Sequence, residues 1–209
     1  MRSDESNEPV KIAYDSARFL LSAPDLASCP PEGGVEVAFA GRSNAGKSSA
    51  LNALTRNSKL ARTSRTPGRT QLINFFSLST PDFKLVDLPG YGFAKVSKSK
   101  RGEWDKNMSQ YLQERHSLRG LVLLMDSRHP LKDDDLFLLQ WCLESNMPVH
   151  VVLTKADKLK QKELGKSLAM VKEAVDGASG VSVQSLSSTK GSGLGQLRQR
   201  LDSWYQAFS

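Results

Sequence analysis

The chain has 209 residues, enough for one medium-sized domain with a real hydrophobic core. Hydrophobic residues make up 39% and charged residues 24%, a globular rather than a disordered composition, and no apolar stretch approaches the roughly 20 residues that span a bilayer. The 29 Lys and Arg outnumber the 22 Asp and Glu, a formal +7 that attracts polyanions, nucleic acid first among them. The start carries Asp4, Glu5 and Glu8 with no basic stretch before an apolar run, so no signal peptide is expected; Cys29 and Cys142 lack metal spacing and read as free thiols, and His116, His129 and His150 are scattered. These features point to a cytoplasmic protein with no membrane segment.

Residues 1–34 form a polar N-terminal extension that ends in a breaker-rich run from Pro24 to Gly34. Within it the spacing of Val10, Ile12, Ala13, Ala17, Leu20 and Leu21 predicts one short amphipathic helix. From Val35 to Ser209 strands and helices alternate. Strands are expected at 35–40, 72–78, 83–87, 119–125, 148–153 and 181–186, and helices at 47–56, 100–115, 132–145, 160–175 and 191–207. Continuous apolar runs such as Leu121 to Met125 and Val149 to Leu153 suit strands covered on both faces. The order predicts an α/β fold, a doubly wound and mostly parallel six-stranded sheet. Only Ser79 to Asp82 separate the second and third strands, too few for a crossover, so that pair forms an antiparallel hairpin at one edge. In the last helix Leu194, Leu197, Leu201, Trp204 and Phe208 make a core-facing stripe.

The first chemical motif is Gly41-Arg42-Ser43-Asn44-Ala45-Gly46-Lys47-Ser48, a phosphate-binding loop between a strand and a helix. Its glycines let backbone N–H groups turn toward phosphate oxygens, Lys47 carries a point charge to the outer phosphates, and the Ser48 hydroxyl suits Mg²⁺. This loop alone does not separate ATP from GTP. Asp87-Leu88-Pro89-Gly90 closes the strand 83–87, where an acid holds the metal through water and the Gly90 N–H reaches a γ-phosphate.

Thr154-Lys155-Ala156-Asp157, after strand 148–153, selects the base. A carboxylate accepts two hydrogen bonds from guanine's ring N–H and exocyclic amine, whereas adenine presents an acceptor there. The Lys155 stem lies over the base, and Ser187-Ser188 add backbone donors for the guanine oxygen. The stretch from Ser58 to Gln71 has the composition of a switch segment, with Thr63, Thr66 or Thr70 as second metal hydroxyl and Thr70 best placed before the strand at 72–78.

With these residues the chain resembles the EngB family (also called YihA or YsxC) of bacterial GTPases, of the TrmE-Era-EngA-EngB-Septin-like class, from about Phe19 to the last helix. Thr66 to Gln71 with Asn74-Phe75, Asp87 to Val96, and Asp126-Ser127-Arg128-His129-Pro130-Leu131 carry the likeness. The resemblance implies that GTP or GDP contacts Gly68, Arg69, Thr70, Gln71, Leu72 and Leu186 besides the motifs above, and that Ser48 and Thr70 ligate Mg²⁺. It also implies a role in maturing the large ribosomal subunit, with ribosomal RNA or protein as partner, and a requirement in cell division and septation.

Two departures from the wider GTPase pattern stand out. Thr154 replaces the usual Asn, weakening one tether, and Tyr91 stands where many GTPases place a water-orienting Gln, so intrinsic hydrolysis is slow and partner-stimulated. No general base is identifiable. Asn44 is a candidate K⁺ ligand, the ion replacing part of an arginine finger's charge. Lys95, Lys98, Lys100, Arg101 and Lys106, with Tyr91, Phe93 and Trp104 as exposed aromatics, form the expected partner surface on a monomer. The rival expectation is a P-loop enzyme that phosphorylates or activates a small molecule, for which no inserted acceptor domain is visible.

Overall fold

A computed structural model describes residues 12–61, 72–80, 82–92 and 98–207, with residues 98–105 described by their backbone alone. Seven strands form one sheet: β1 (Arg18–Ala23), β2 (Val35–Gly41), β3 (Ile73–Ser77), β4 (Phe83–Asp87), β5 (Leu118–Asp126), β6 (Val149–Thr154) and β7 (Val181–Ser185). Among the described residues five α-helices connect or flank them: α1 (Lys47–Thr55), α2 (Lys98–Glu114), α3 (Asp133–Glu144), α4 (Gln161–Ala174) and α5 (Leu194–Gln206). The strand order is β1-β3-β4-β2-β5-β6-β7. Five strands run parallel from β4 through β7 in that order, and only β3 opposes its neighbours.

The hairpin expected from the short 79–82 connection is present, with Asn74 opposite Asp87 and the turn closed by Leu78 N–H to the Phe83 carbonyl at 3.0 Å. It does not form the edge of the sheet. The N-terminal helix expected through Leu21 is instead a 3₁₀ turn at Tyr14–Ser16 followed by β1, which pairs antiparallel with β3. The sheet therefore has seven strands rather than six. Long-range contacts decided this: Phe19 meets Phe76 edge-on at 6.2 Å, Ser22 bonds the Asn74 side chain at 2.6 Å, and Tyr14 bonds Asp202 on α5 at 2.6 Å. A helix would have left the β3 backbone unpaired beside these groups.

Alternation along the buried strands divides the core into two layers. Val37 and Phe39 of β2 face Leu51 and Leu54 of α1 and Leu197, Leu201 and Trp204 of α5. Ala38 and Ala40 face the opposite layer, with Tyr111 of α2, Leu138 and Leu139 of α3, and Val171 of α4. Leu194, Leu197, Leu201 and Trp204 of the expected stripe thus pack on the core, Phe208 lies outside the described residues, and Gly120 lets the helix approach: a Cβ there would lie 2.5 Å from the Trp204 ring. Cys29 and Cys142 are free thiols, and burial pushes that of Cys142 up to about 12. No helix among the described residues is long and apolar enough to cross a membrane.

His150 sits in β6 between the Ser182 hydroxyl and the Gln184 side-chain carbonyl, each at 2.7 Å, and is 1% exposed. Burial lowers its pKa to about 4, only partly offset by the Gln184 bond. Below its ordinary value the unfolded chain takes up a proton that the folded chain refuses. The stabilisation from neutral His150 is therefore complete above about pH 6.5 and shrinks as pH falls toward 4. Between pH 7.5 and 5 it accounts for a loss of about 2 kcal/mol. Urea midpoints at the two pH values measure this, and His150→Gln should flatten the difference; an unchanged pH slope in the variant refutes the assignment.

Candidate nucleotide site

The phosphate loop, the Asp87 motif and the Thr154–Asp157 motif lie at or just past the carboxyl ends of parallel strands, where doubly wound sheets bind ligands, while the expected switch residues 62–71 lie outside the described residues. Gly41 ends β2, Arg42 to Gly46 form the loop, and Lys47 and Ser48 open α1. The loop turns tightly, with Ala45 N–H on the Arg42 carbonyl at 2.9 Å and Asn44 at φ 64°. Gly46 sits at φ 95°, and a Cβ there would come within 3.3 Å of the Thr154 hydroxyl. Glycine is needed on both counts.

Asp87 ends β4 beside this loop, 6% exposed, and its carboxylate pairs with the Lys47 ammonium. Ser48 adjoins that pair along α1. One carboxylate, one hydroxyl and one ammonium at a strand–helix junction match the needs of a phosphate-bound Mg²⁺: hard oxygen donors for the ion and a cation for the phosphates. Gly90 packs against Ser43, with its hypothetical Cβ 3.5 Å from the Ser43 backbone. Gly68, Arg69, Thr70 and Gln71 lie outside the described residues, and Leu72 is exposed just before β3.

Thr154, at the end of β6, is 2% exposed. Its hydroxyl bonds the Ala45 carbonyl and also reaches the Met125 carbonyl at 3.1 Å. The tether expected to weaken with Thr in place of Asn is thus made through the hydroxyl. Lys155, at φ 56°, stretches its ammonium over the loop to the Asn44 carbonyl at 2.7 Å and to Asp126 at 2.9 Å. Burial alone would raise the Asp126 carboxyl, but hydrogen bonds from Arg128 and Lys155 outweigh it and hold the group well below the usual carboxylate range.

Ala156 and Asp157 belong to a 3₁₀ turn, and the Ala156 N–H bonds the carbonyl of buried Leu186 at 3.1 Å. The Ser187 hydroxyl donates to Asp157 at 2.6 Å and holds its carboxyl below the ordinary value. Ser187 departs from expectation: its N–H is taken by the Ser192 carbonyl at 3.0 Å, so it orients Asp157 rather than offering a backbone donor. Among the described residues no partner takes the Ser188 N–H.

Tyr91 is the clearest correction. Expected as an exposed aromatic, it is 3% exposed, and its hydroxyl donates to the fully buried Asp135 carboxylate at 2.9 Å. Its backbone is zipped to the phosphate loop, with Ser43 N–H on the Tyr91 carbonyl at 2.8 Å. Arg42 bonds the other Asp135 oxygen at 3.0 Å and the His129 carbonyl at 3.0 Å. Burial raises the Asp135 carboxyl, with Tyr91 and Arg42 opposing. This tie between loop, Asp87 motif and α3 was invisible in the sequence, because Asp135 follows Tyr91 by 44 positions with no motif around it. Of the other expected partner residues, Phe93 and Lys95 lie outside the described residues, Lys98, Lys100, Arg101 and Trp104 occupy the first two turns of α2, and Lys106 is exposed.

Residues 36–155 match a family model described as a 50S ribosome-binding GTPase. The chain is 52% identical over 196 residues to the probable GTP-binding protein EngB of Idiomarina loihiensis, covering 93% of this chain and 95% of that protein. Identity to the corresponding protein of Shigella boydii serotype 4 is 53% over 195 residues, covering 93% and 92%. The crystal structure of a probable GTP-binding protein engB superposes with a TM-score of 0.67 at 22% identity, covering 83% of this chain and 100% of that one. Era in complex with MgGDPNP and nucleotides 1506–1542 of 16S ribosomal RNA gives 0.65 at 22%, covering 83% and 57%. At those identities the structural likeness is one of fold. The identity to curated relatives across nearly the whole chain, joined to the loop, the Asp87 motif and the Asp157 motif at one sheet edge, places this protein in the EngB family of GTP-binding proteins, P-loop GTPases that bind guanine nucleotide and hydrolyse GTP.

Proposed function

We propose that this GTPase is a nucleotide-dependent switch in cytoplasmic assembly of the large ribosomal subunit, docking as a monomer on ribosomal RNA or protein with GTP bound and leaving after hydrolysis. The observation that carries this reading is the match of residues 36–155 to a 50S ribosome-binding family, in a chain with a formal +7 charge. Era, a neighbour in fold, has been crystallised with ribosomal RNA. A requirement for normal division and septation then follows from ribosome supply.

In the nucleotide site the loop from Gly41 to Ser48 cradles the phosphates, and Lys47 leaves Asp87 for the outer phosphate. Ser48, Thr70 and, through water, Asp87 would hold Mg²⁺, which when bound would supply positive charge to the phosphates. Asp157 accepts from guanine's two donors, Ser187 fixes Asp157, and the Ser188 N–H faces the guanine oxygen. Gly68 to Leu72, Leu88 to Gly90 and Leu186 complete the enclosure.

With its hydroxyl committed to Asp135, Tyr91 does not orient a water. Unassisted turnover is therefore slow and a docking partner completes the site. Asn44, exposed on the loop, is the proposed K⁺ ligand. Turnover should be at least several-fold faster in K⁺ than in Na⁺ at matched ionic strength, and equal rates remove that role.

Co-sedimentation with ribosomal subunits tests the function. Wild type should pellet with large-subunit precursors more strongly with a non-hydrolysable GTP analogue than with GDP. The cluster Lys95, Lys98, Lys100 and Arg101, with Phe93 and Trp104, is the proposed docking surface. Replacing Lys98, Lys100 and Arg101 by Ala should lower the salt concentration at which half the protein dissociates and flatten the slope of log affinity against log salt by up to about one per lost phosphate contact. Nucleotide-independent pelleting would refute the switch, and an unchanged salt midpoint would move the docking surface elsewhere.

A further inference from the structure

Asp126 to Leu131, one of the stretches that marks the family, meets the nucleotide loop through the Asp126 carboxylate and the His129 carbonyl. It also builds a further feature. A recess of ≈ 330 Å³ lies beside the phosphate loop, walled by the loop residues Arg42 to Ala45 and by Asp126, Arg128, His129 and Lys132, with Lys155 also lining it. It shares Arg42 to Ala45 and Lys155 with the nucleotide site and extends past them to Arg128, His129 and Lys132, which no nucleotide motif uses. Four cationic side chains line it against a single carboxylate.

Its geometry is that of a preformed anion site. Asp126 grips Arg128 through Nε at 2.9 Å and Nη2 at 2.7 Å, and the Arg128 N–H adds a bond at 3.1 Å. The guanidinium is thereby held in one plane while its side chain stays 44% exposed. A fork fixed by one edge loses little freedom when its remaining donors meet a phosphate. Lys132 is exposed at the start of α3 and carries no ion pair among the described residues. Asp133 and Asp134 follow immediately, so the cationic surface ends abruptly on that side. A long polyanion track is disfavoured there, and one phosphate group suits the space.

We propose that this recess holds a single backbone phosphodiester of RNA, with Arg128 and Lys132 as the contacting cations. The inference rests on the ribosomal RNA reading above and adds a second contact, at the start of α3 beside the phosphate loop. It also carries information to the nucleotide. Asp126 Oδ2 is shared between Arg128 Nη2 at 2.7 Å and Lys155 Nζ at 2.9 Å, and the same Nζ holds the Asn44 carbonyl of the loop at 2.7 Å. A phosphate drawing on Arg128 redistributes the Asp126 charge between these partners, and by linkage the nucleotide state alters RNA affinity to the same degree.

The test compares wild type with Arg128→Gln/Lys132→Gln for binding to a 23S ribosomal RNA transcript and to large-subunit precursors across salt concentrations, in GDP and in a non-hydrolysable GTP analogue. The double variant should bind the transcript about five- to tenfold more weakly, with the slope of log affinity against log salt reduced by about one to two. It should also lose part of the nucleotide dependence seen in wild type. Arg128→Lys, which keeps the charge but not the fork, should retain the slope and lose only part of the affinity. Equal slopes and midpoints in wild type and double variant, with wild type still pelleting on precursors, overturn the recess and leave the ribosomal reading standing. Inorganic-phosphate binding that the double variant loses while its RNA binding stays unchanged overturns the assignment to RNA. Absence of wild-type binding to transcript and particles alike overturns both.

Discussion

Asp157→Asn should lower affinity for GTP and GDP by at least about 100-fold and raise affinity for xanthosine nucleotides. Two charge-assisted hydrogen bonds to guanine, each worth about 1.5–3 kcal/mol, are lost when the carboxylate becomes an amide whose NH₂ opposes a donor. Xanthine presents a carbonyl at the corresponding edge, and the new amide donates to it. Because the Ser187 hydroxyl holds the Asp157 carboxyl below its ordinary value, recognition needs no help from high pH. Guanine affinity in wild type should stay level as pH falls to about 5 and decline only below the ordinary carboxylate range near 4. Titrations with fluorescent GDP and xanthosine diphosphate read both effects. Retention of full guanine preference by the variant would place base selection elsewhere.

Arg115→Ala should cost about 3–5 kcal/mol of stability, the range for removing one partner of a buried ion pair. Glu36 lies in central strand β2 at 0% exposure, with no water to accept its charge. Arg115, 6% exposed, grips both its oxygens, Nε at 3.0 Å and Nη2 at 2.6 Å, and the Tyr111 hydroxyl adds a bond at 2.9 Å. Deleting the guanidinium leaves a carboxylate in the core with a single neutral donor. The Arg115→Ala/Glu36→Gln double variant should recover part of the loss, because the stranded charge is gone. Urea unfolding of the three proteins measures this; a single-variant loss below about 1 kcal/mol would mean that water reaches Glu36. The site is a full sheet length from the nucleotide loops at the opposite strand ends, so base preference should be unaltered.

Of the fold, the parallel centre was legible because its signals are local. Apolar runs such as Leu121 to Met125 announce strands buried on both faces, and helices between them follow from threefold and fourfold spacing. The nucleotide motifs were legible for a related reason. Each packs its chemistry into four to eight consecutive residues, since a loop that must wrap a phosphate or present a carboxylate at a strand end has no room for long-range assembly.

What the sequence by itself determined is therefore the family, the parallel α/β core, and the positions of Lys47 and Ser48 opening the first helix, Asp87 and Thr154 ending strands, and Asp157 in the turn that follows. The tertiary structure alone decided three things. It turned Arg18–Ala23 from an amphipathic helix into an edge strand, because the unpaired backbone of β3 and the rings of Phe76 and Phe19 outweighed local periodicity. It buried Tyr91 against Asp135, because a hydroxyl and a carboxylate 44 positions apart meet only when α3 packs beside the phosphate loop. And it gave the Ser187 hydroxyl to Asp157 while closing its N–H onto Ser192, a division of donors set by the path of the chain after β7 and not by residue type. In each case a hydrogen-bonding group had to find its partner across the fold, and that pairing is a property of folded space which no local spacing encodes.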